Sequence, residues 1–155
     1  MRSIDTLTLS FALALAVSAM PARAGTLTDP ATGATCTDRQ DVLITRDDFR
    51  LVLDGVCGKV TIRASKGSLN VDEVTSIQVV GSGVTVLNQK VGTLTVEGSN
   101  NMLNMTEVGE AIVAGDNNTL LGDAYGRVHF RGKNNTVNSS NKPETVDEGS
   151  GNRVM

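Results

Sequence analysis

The sequence predicts an all-β fold, a small parallel β-solenoid of five to seven coils with about 17 residues in each coil. Three observations predict it. Similar phrases recur every 17 residues ("VEGSNNMLNM", "VAGDNNTLL", "FRGKNNTVN"), apolar and polar residues alternate inside each repeat, and no segment after the first two dozen residues has a convincing helical stripe. Short strands that recur at a fixed interval, with Gly and Asn between them, are typical of stacked coils.

Residues 1–24 differ from the rest of the chain and are predicted to form a secretory signal peptide. Arg2 precedes a mostly apolar run from Leu7 to Met20, and Ala22-Arg23-Ala24 supplies the small-x-small pattern of a cleavage site. A membrane helix is the alternative, but the run is shorter than the ~20 apolar residues that such a helix needs. We therefore expect a periplasmic or secreted protein without a membrane span.

Composition limits the classes of partner. The chain after residue 24 has two basic residues and one acidic residue fewer than the whole, which leaves 12 against 16 and a formal charge of −4. A mildly acidic surface disfavours nucleic acid and anionic lipid as partners. The aromatic residues of this part are Phe49, Tyr125 and Phe130 alone, which leaves little to stack on sugars or bases.

The two cysteines, Cys36 and Cys57, are predicted to form one disulfide, because an even count in an exported protein favours pairing. A metal pair and a reactive thiol are the alternatives. A metal would need further His or Cys ligands, and His129, the only histidine, lies far along the chain. We predict no metal and no cofactor.

Stepping by 17 residues from Gly98 aligns the repeats in columns. One column holds only small residues: Ala64, Gly81, Gly98, Gly115, Gly132 and Gly149. Two columns are apolar and are predicted to point inward: Ile62, Val79, Val96, Val113 and Phe130 in one, and Leu69, Val86, Leu103, Leu120 and Val137 in the other. Two further apolar columns, through Leu94 and through Val108, share the register. The alternation around these columns predicts strands of three or four residues.

The same step aligns asparagines and charges. One column consists of Asn101, Asn118, Asn135 and Asn152, and a second asparagine precedes each of the first three. We predict a corner with a ladder of amides, because Asn tolerates a left-handed backbone and can bond the equivalent amide one coil away; a ligand-binding row is the alternative. Charges alternate in sign along two other columns, Glu73, Lys90, Glu107 and Glu110, Arg127, Glu144, as parallel stacking favours.

The register extends less cleanly towards the N-terminus. Steps of 17 residues place Leu43, Val52 and Cys57 in inward columns, but Thr45 and Asp47 do not fit. We therefore predict an N-terminal cap and possible first coil at 25–58, closed by the disulfide, and solenoid repeats at 59–155. The boundary between the cap and the first coil stays open.

Several acidic residues are candidates for a catalytic or cation-binding role. Asp72 and Glu73 are adjacent, but Asp123 lies three coil spacings above Asp72, about 14 Å, too far for a pair of cooperating carboxylates. Asp47 and Asp48 are interpreted as a solvated turn, with a cation site as the alternative. Because no P-loop, nucleophile elbow or H-E-x-x-H motif occurs, we predict no catalytic residues and no enzyme activity.

The cysteines before the repeats and the run of "VTIRASKGSLNV", "IQVVGSGVTVL", "LTVEGSNNMLNM", "IVAGDNNTLL" and "VHFRGKNNTVN" resemble the bacterial DUF3060 proteins. Those are exported or lipoprotein-attached chains with V-x-G-x-N-N-x-V repeats and no established function. The resemblance covers about residues 41–141. It implies a bacterial envelope setting and brings no catalytic residues.

These observations predict an exported, non-catalytic β-solenoid that serves as a structural or interaction module of the cell envelope or extracellular space. Its expected partner is an envelope or extracellular protein or glycan. One alternative is a self-assembling subunit of a fibre or oligomer that associates through its last coil, where Gly149, Asn152 and Val154 begin another repeat. A second alternative is a carbohydrate-active enzyme, because such enzymes often use parallel β-helices.

Overall fold

The computed structural model describes residues 25–31 and 33–155, so the predicted signal peptide at 1–24 lies outside the described part. The described residues form eleven strands and no helix. The strands are β1 (Leu27–Thr28), β2 (Gly33–Thr35), β3 (Val42–Ile44), β4 (Arg50–Ile62), β5 (Gly67–Val79), β6 (Val84–Val96), β7 (Met102–Val113), β8 (Thr119–Phe130), β9 (Thr136–Ser139), β10 (Glu144–Asp147) and β11 (Arg153–Val154).

All strands pair in parallel, and each long strand lies on the one that precedes it in the chain. From β5 onward the paired residues are 17 apart, as Leu69 with Val86 and Leu94 with Ala111 show. The chain therefore winds as a β-solenoid of about seven turns with about 17 residues per turn, and the predicted fold class is confirmed.

The strands are longer than the sequence predicted. β4, β5 and β6 have 13 residues each, and β7 and β8 have 12, where runs of three or four were expected. Each strand bends around the coil without losing its ladder to the neighbouring coil. In β6 the alternation of buried and exposed residues breaks at Gln89 and Lys90, which are both exposed, and this break marks the bend.

The core is a pile of aliphatic side chains along the axis. All ten residues of the two predicted apolar columns lie in it, with exposed fractions of 0–1%. The columns through Leu94 and Val108 are also buried. Each buried aliphatic side chain contributes about 1.5–3 kcal/mol of transfer free energy, so these columns supply the main driving force for folding.

The first coil has one residue more than the others, and this corrects the predicted inward positions. Val42 and Ile44 are buried while Leu43 between them is half-buried, and Val52 is 46% exposed. In β4 the register to β5 is 18 up to Leu53 and 17 from Val56 onward. The extra residue forms a bulge that includes Gly55, whose φ is +80°, a conformation that glycine adopts without strain.

The predicted disulfide between Cys36 and Cys57 is present. It joins the chain just after β2 to the middle of β4, and the backbone N–H of Cys36 donates to the carbonyl of Asp54. Both cysteines are buried. β1 and β2 add a partial layer beneath β3 and β4, so the disulfide pins the end of the solenoid that the N-terminal segment covers.

Within the ranges 25–31 and 33–155, no helix is long and apolar enough to cross a membrane.

Candidate functional site

The asparagine column forms a ladder along one corner of the solenoid. The Oδ1 atom of Asn118 accepts the backbone N–H of Asn101 at 2.9 Å, and its Nδ2 donates to the carbonyl of Gly98 at 3.0 Å. Asn101 and Asn135 make the equivalent bonds, and all three side chains have exposed fractions of 0–2%. Because each buried amide of this column bonds to neighbouring coils, the column stabilises the packing of the coils and offers no free groups to a ligand.

The residue before each ladder asparagine supplies the left-handed turn. Asn100, Asn117 and Asn134 have φ values of 55–57°, and the equivalent position of other coils is held by Lys66, Gly83 and Gly151, also at positive φ. In each of these repeats the first asparagine therefore adopts the left-handed turn, and the second forms the hydrogen bonds between coils.

A second ladder runs beside the first, and sequence reasoning missed it. The hydroxyl of Ser82 accepts the backbone N–H of Ser99 at 3.0 Å, the hydroxyl of Ser99 accepts that of Asp116 at 3.1 Å, and the carboxylate of Asp116 accepts that of Lys133 at 2.7 Å. Asp47 makes the same bond to the N–H of Ser65, which ties this carboxylate to coil packing. The signal was available, because this column consists of short oxygen-bearing residues up to Asp116.

The small-residue column is required by close approach of the coils. A Cβ atom at Gly98 would overlap the carbonyl oxygen of Gly81, and one at Gly115 would overlap that of Gly98. The same overlap recurs at Gly132 and Gly149. At these four glycines a side chain larger than hydrogen would force neighbouring coils apart.

One outward face carries stacked charges. The Arg127 guanidinium lies 3.2 Å from the Glu144 carboxylate and 3.7 Å from that of Glu110, and the Lys90 ammonium lies 4.0 Å from the Glu107 carboxylate. These side chains are 41–66% exposed, so each pair contributes only about 0–1 kcal/mol. His129, the only histidine, places its Nε2 2.9 Å from a carboxylate oxygen of Glu148 on the same face.

Tyr125 is buried in the core, one coil beyond Val108 in the same inward column. Its ring occupies the space that Gly122 leaves, and its hydroxyl donates to the carbonyl of Leu121 at 3.1 Å. Burial raises the pKa of the Tyr125 phenol well above its ordinary value. The residue acts as a packing element with a satisfied polar tip.

The acidic residues that were considered for catalysis lie apart. Asp72 and Glu73 are exposed, and Asp72 accepts a hydrogen bond from the Gln89 side chain at 3.3 Å. Asp123 lies in the same outward column, three coils further along. No group of three His, Cys, Asp or Glu side chains in the described part of the chain could hold a metal ion.

A shallow axial groove follows a row of glycines beside the Lys90–Glu107 pair. Gly92, Gly109 and Gly126 line a depression of about 360 Å³, with Lys90 and Glu107 at its rim. A Cβ at Gly109 would lie 2.5 Å from the carbonyl oxygen of Gly92, and Gly126 has the same relation to Gly109. The row is therefore explained by coil packing.

A different face forms what we call the uncharged strip. It comprises two outward columns on five consecutive coils: Ser68, Thr85, Met102, Thr119 and Thr136, and Asn70, Leu87, Asn104, Leu121 and Asn138. None of these ten side chains is charged. Leu87 is 44% exposed and Met102 is 53% exposed on adjacent strands, and Val52, 46% exposed, lies in the column of Leu87 below Asn70. Exposed apolar groups gathered on one flat face are typical of interaction surfaces.

The described part of the chain is thus a parallel β-solenoid protein with inter-coil polar ladders. The model of a family described as "Protein of unknown function (DUF3060)" matches residues 96–151, which supports the resemblance over that segment. The matched segment holds three members of the asparagine ladder and one end of the uncharged strip. No curated protein and no solved structure matches the chain.

Proposed function

We propose that the protein is an exported, non-catalytic interaction module of the cell envelope or extracellular space. In this proposal the rigid solenoid presents the uncharged strip to an envelope or extracellular protein or glycan. The observation that carries it is the contrast between faces, because five coils expose no charge on the strip while the opposite columns carry stacked ion pairs.

The use of polar groups supports a scaffold role. The side-chain amides and hydroxyls of the corner are hydrogen-bonded to the backbone of neighbouring coils. These bonds stabilise the stack of coils. Outward columns vary from coil to coil while inward columns stay apolar. This arrangement lets a solenoid present a specific surface without altering its core.

Export is supported by two features. The signal-peptide pattern at 1–24 predicts secretion, and the buried disulfide is typical of oxidising compartments such as the periplasm. The resemblance to the DUF3060 proteins implies the same setting, since those proteins are exported or attached as lipoproteins.

The proposal is tested by affinity capture from an envelope extract and on immobilised envelope polysaccharide. The bait is the exported chain, either unchanged or carrying Leu87→Lys and Met102→Lys in the strip. A matched control carries Thr95→Lys and Ile112→Lys, which lie outward on the same two strands but on the charged face. Circular dichroism verifies that each variant folds.

We expect the unchanged chain and the control to recover the same protein or glycan, and the strip variant to lose it. Equal recovery by a folded strip variant would contradict the proposal, as would an unchanged chain that recovers nothing from either source. Turnover of a polysaccharide that Asp72→Ala, Glu73→Ala or Asp123→Ala abolishes would instead show a carbohydrate-active enzyme.

A further inference from the structure

The inward columns change their chemistry in the last full coil. Above the buried Val128 and Phe130 stand Thr145 and Asp147 of β10, in the same register and both exposed. Two columns that are apolar through the preceding coils thus end in a hydroxyl and a carboxylate group.

The inward residues of this coil are apolar where another strand covers them and hydrophilic where no described strand does. β9 is covered by β11, and there the inward residue Val137 is apolar and fully buried beneath Val154. β10 pairs with β8 below it and with no other strand of the described chain, and all four of its residues are exposed. Hydrophilic residues therefore stand at inward register positions over which the described chain places no strand.

The hydrophilic groups are engaged in local hydrogen bonds. The Asp147 carboxylate accepts the N–H of Gly149 and the amide of Asn152, each at 2.9 Å. The Ser139 hydroxyl donates to the carbonyl of Asn141 at 2.8 Å, and the Asn141 amide bonds both the N–H and the carbonyl of Tyr125. These contacts close the end of the core without a further strand.

Pro143 adds a second barrier to strand addition. It stands 17 residues after Gly126, in the column of Gly92 and Gly109, and it has no N–H to donate. No strand spans the residues between β9 and β10. Proline, charged side chains and short strands are the features with which sheet edges avoid pairing.

We propose that residues 139–147 form a polar cap that prevents a second copy of this chain from stacking on this end of the solenoid. A stacked copy would place apolar inward residues against Thr145 and Asp147, and would strip water from the Thr145 hydroxyl and the Asp147 carboxylate without adding hydrogen-bond partners. The proposal opposes the expected self-association through the last coil. It does not depend on which face binds a partner.

The test converts the cap into a continuation of the core. Thr145→Val and Asp147→Val together extend two apolar columns by one coil. The control pair, Thr95→Val and Glu97→Val, has the same chemistry and spacing at outward positions of another coil. Light scattering across a concentration series measures the molar mass of the exported chain and both variants, and circular dichroism reports folding.

We expect the unchanged chain and the control to keep the mass of one chain, and the double variant to at least double its mass as concentration rises. A folded double variant that stays monomeric would overturn the proposal, and so would an unchanged chain that already associates through this end. If the double variant does not fold, Thr145→Val alone decides, since it removes only a hydroxyl and should still raise the mass. A monomeric Thr145→Val variant would then overturn the cap.

Discussion

Replacing Asn118 with alanine tests whether the ladder holds the coils together. The substitution removes three buried hydrogen bonds, and it leaves the Asn101 N–H and the Gly98 carbonyl without partners in a corner that water does not reach. Each buried polar group left without a partner costs about 1–3 kcal/mol. We therefore expect the free energy of unfolding to fall by about 2–6 kcal/mol, a large share of a typical domain's stability.

Asn152 offers a matched control at the end of the same ladder. It makes the equivalent bonds to Asn135 and to the carbonyl of Gly132, but it is only half-buried. Water can replace its amide, so Asn152→Ala should cost about 0.5–1.5 kcal/mol. Urea denaturation followed by circular dichroism gives both values. Equal costs for the two variants, or a cost below 1 kcal/mol for Asn118→Ala, would refute the ladder as a source of stability.

Three further predictions address other features. Gly115→Ala should lower the free energy of unfolding by about 1–3 kcal/mol, because its Cβ overlaps the neighbouring coil, whereas Gly25→Ala, with no atom within 4 Å of its Cβ, should change it by less than about 0.5 kcal/mol. Thermal and urea melts that rank these two glycines equally would contradict the close-approach argument. Replacing Cys36 and Cys57 with alanine opens a bridge of sequence separation 21 and should cost about 3 kcal/mol, and dithiothreitol should then leave the variant's midpoint unchanged. Arg127→Glu should cost about 1 kcal/mol in low salt, and the difference should shrink in 1 M NaCl; a loss that salt does not alter would show that packing, not charge, is responsible.

The repeat was readable because stacking makes residues 17 apart into neighbours. Val96 and Val113 must both be apolar to bury one continuous core, and Gly98 and Gly115 must both be glycine to let the coils touch. Such constraints act on every coil alike, so they leave a period in the chain. The alternating charges around Arg127 are predictable for the same reason.

Steps of 17 residues did not predict the inward residues of the first coil. A single extra residue at the Gly55 bulge shifts the register from 17 to 18, so stepping by 17 selected Leu43 and Val52 in place of Val42 and Leu51. Period-two alternation makes this error complete, because a shift of one residue exchanges the buried and exposed sides of a strand. In the sequence, nothing distinguishes Gly55 at the bulge from the other glycines.

The uncharged strip and the polar cap also required coordinates. Leu87 and Met102 are 15 residues apart and belong to different columns, so no single step of 17 relates them, yet the paired strands bring them together on one face. Thr145 and Asp147 appear as ordinary polar residues until the strand pairing places them above Val128 and Phe130. Surface neighbours depend on how each coil bends and pairs.

Local repetition thus sufficed to derive the period, the inward columns and the class of fold, because each of these follows from contacts that recur in every coil. The disulfide followed instead from the even count of cysteines. Three-dimensional arrangement was needed for the extra residue of the first coil and for the two distinctive surfaces. These features arise from contacts made once, between residues of different columns or at one end of the pile, and a contact made once leaves no period in the chain.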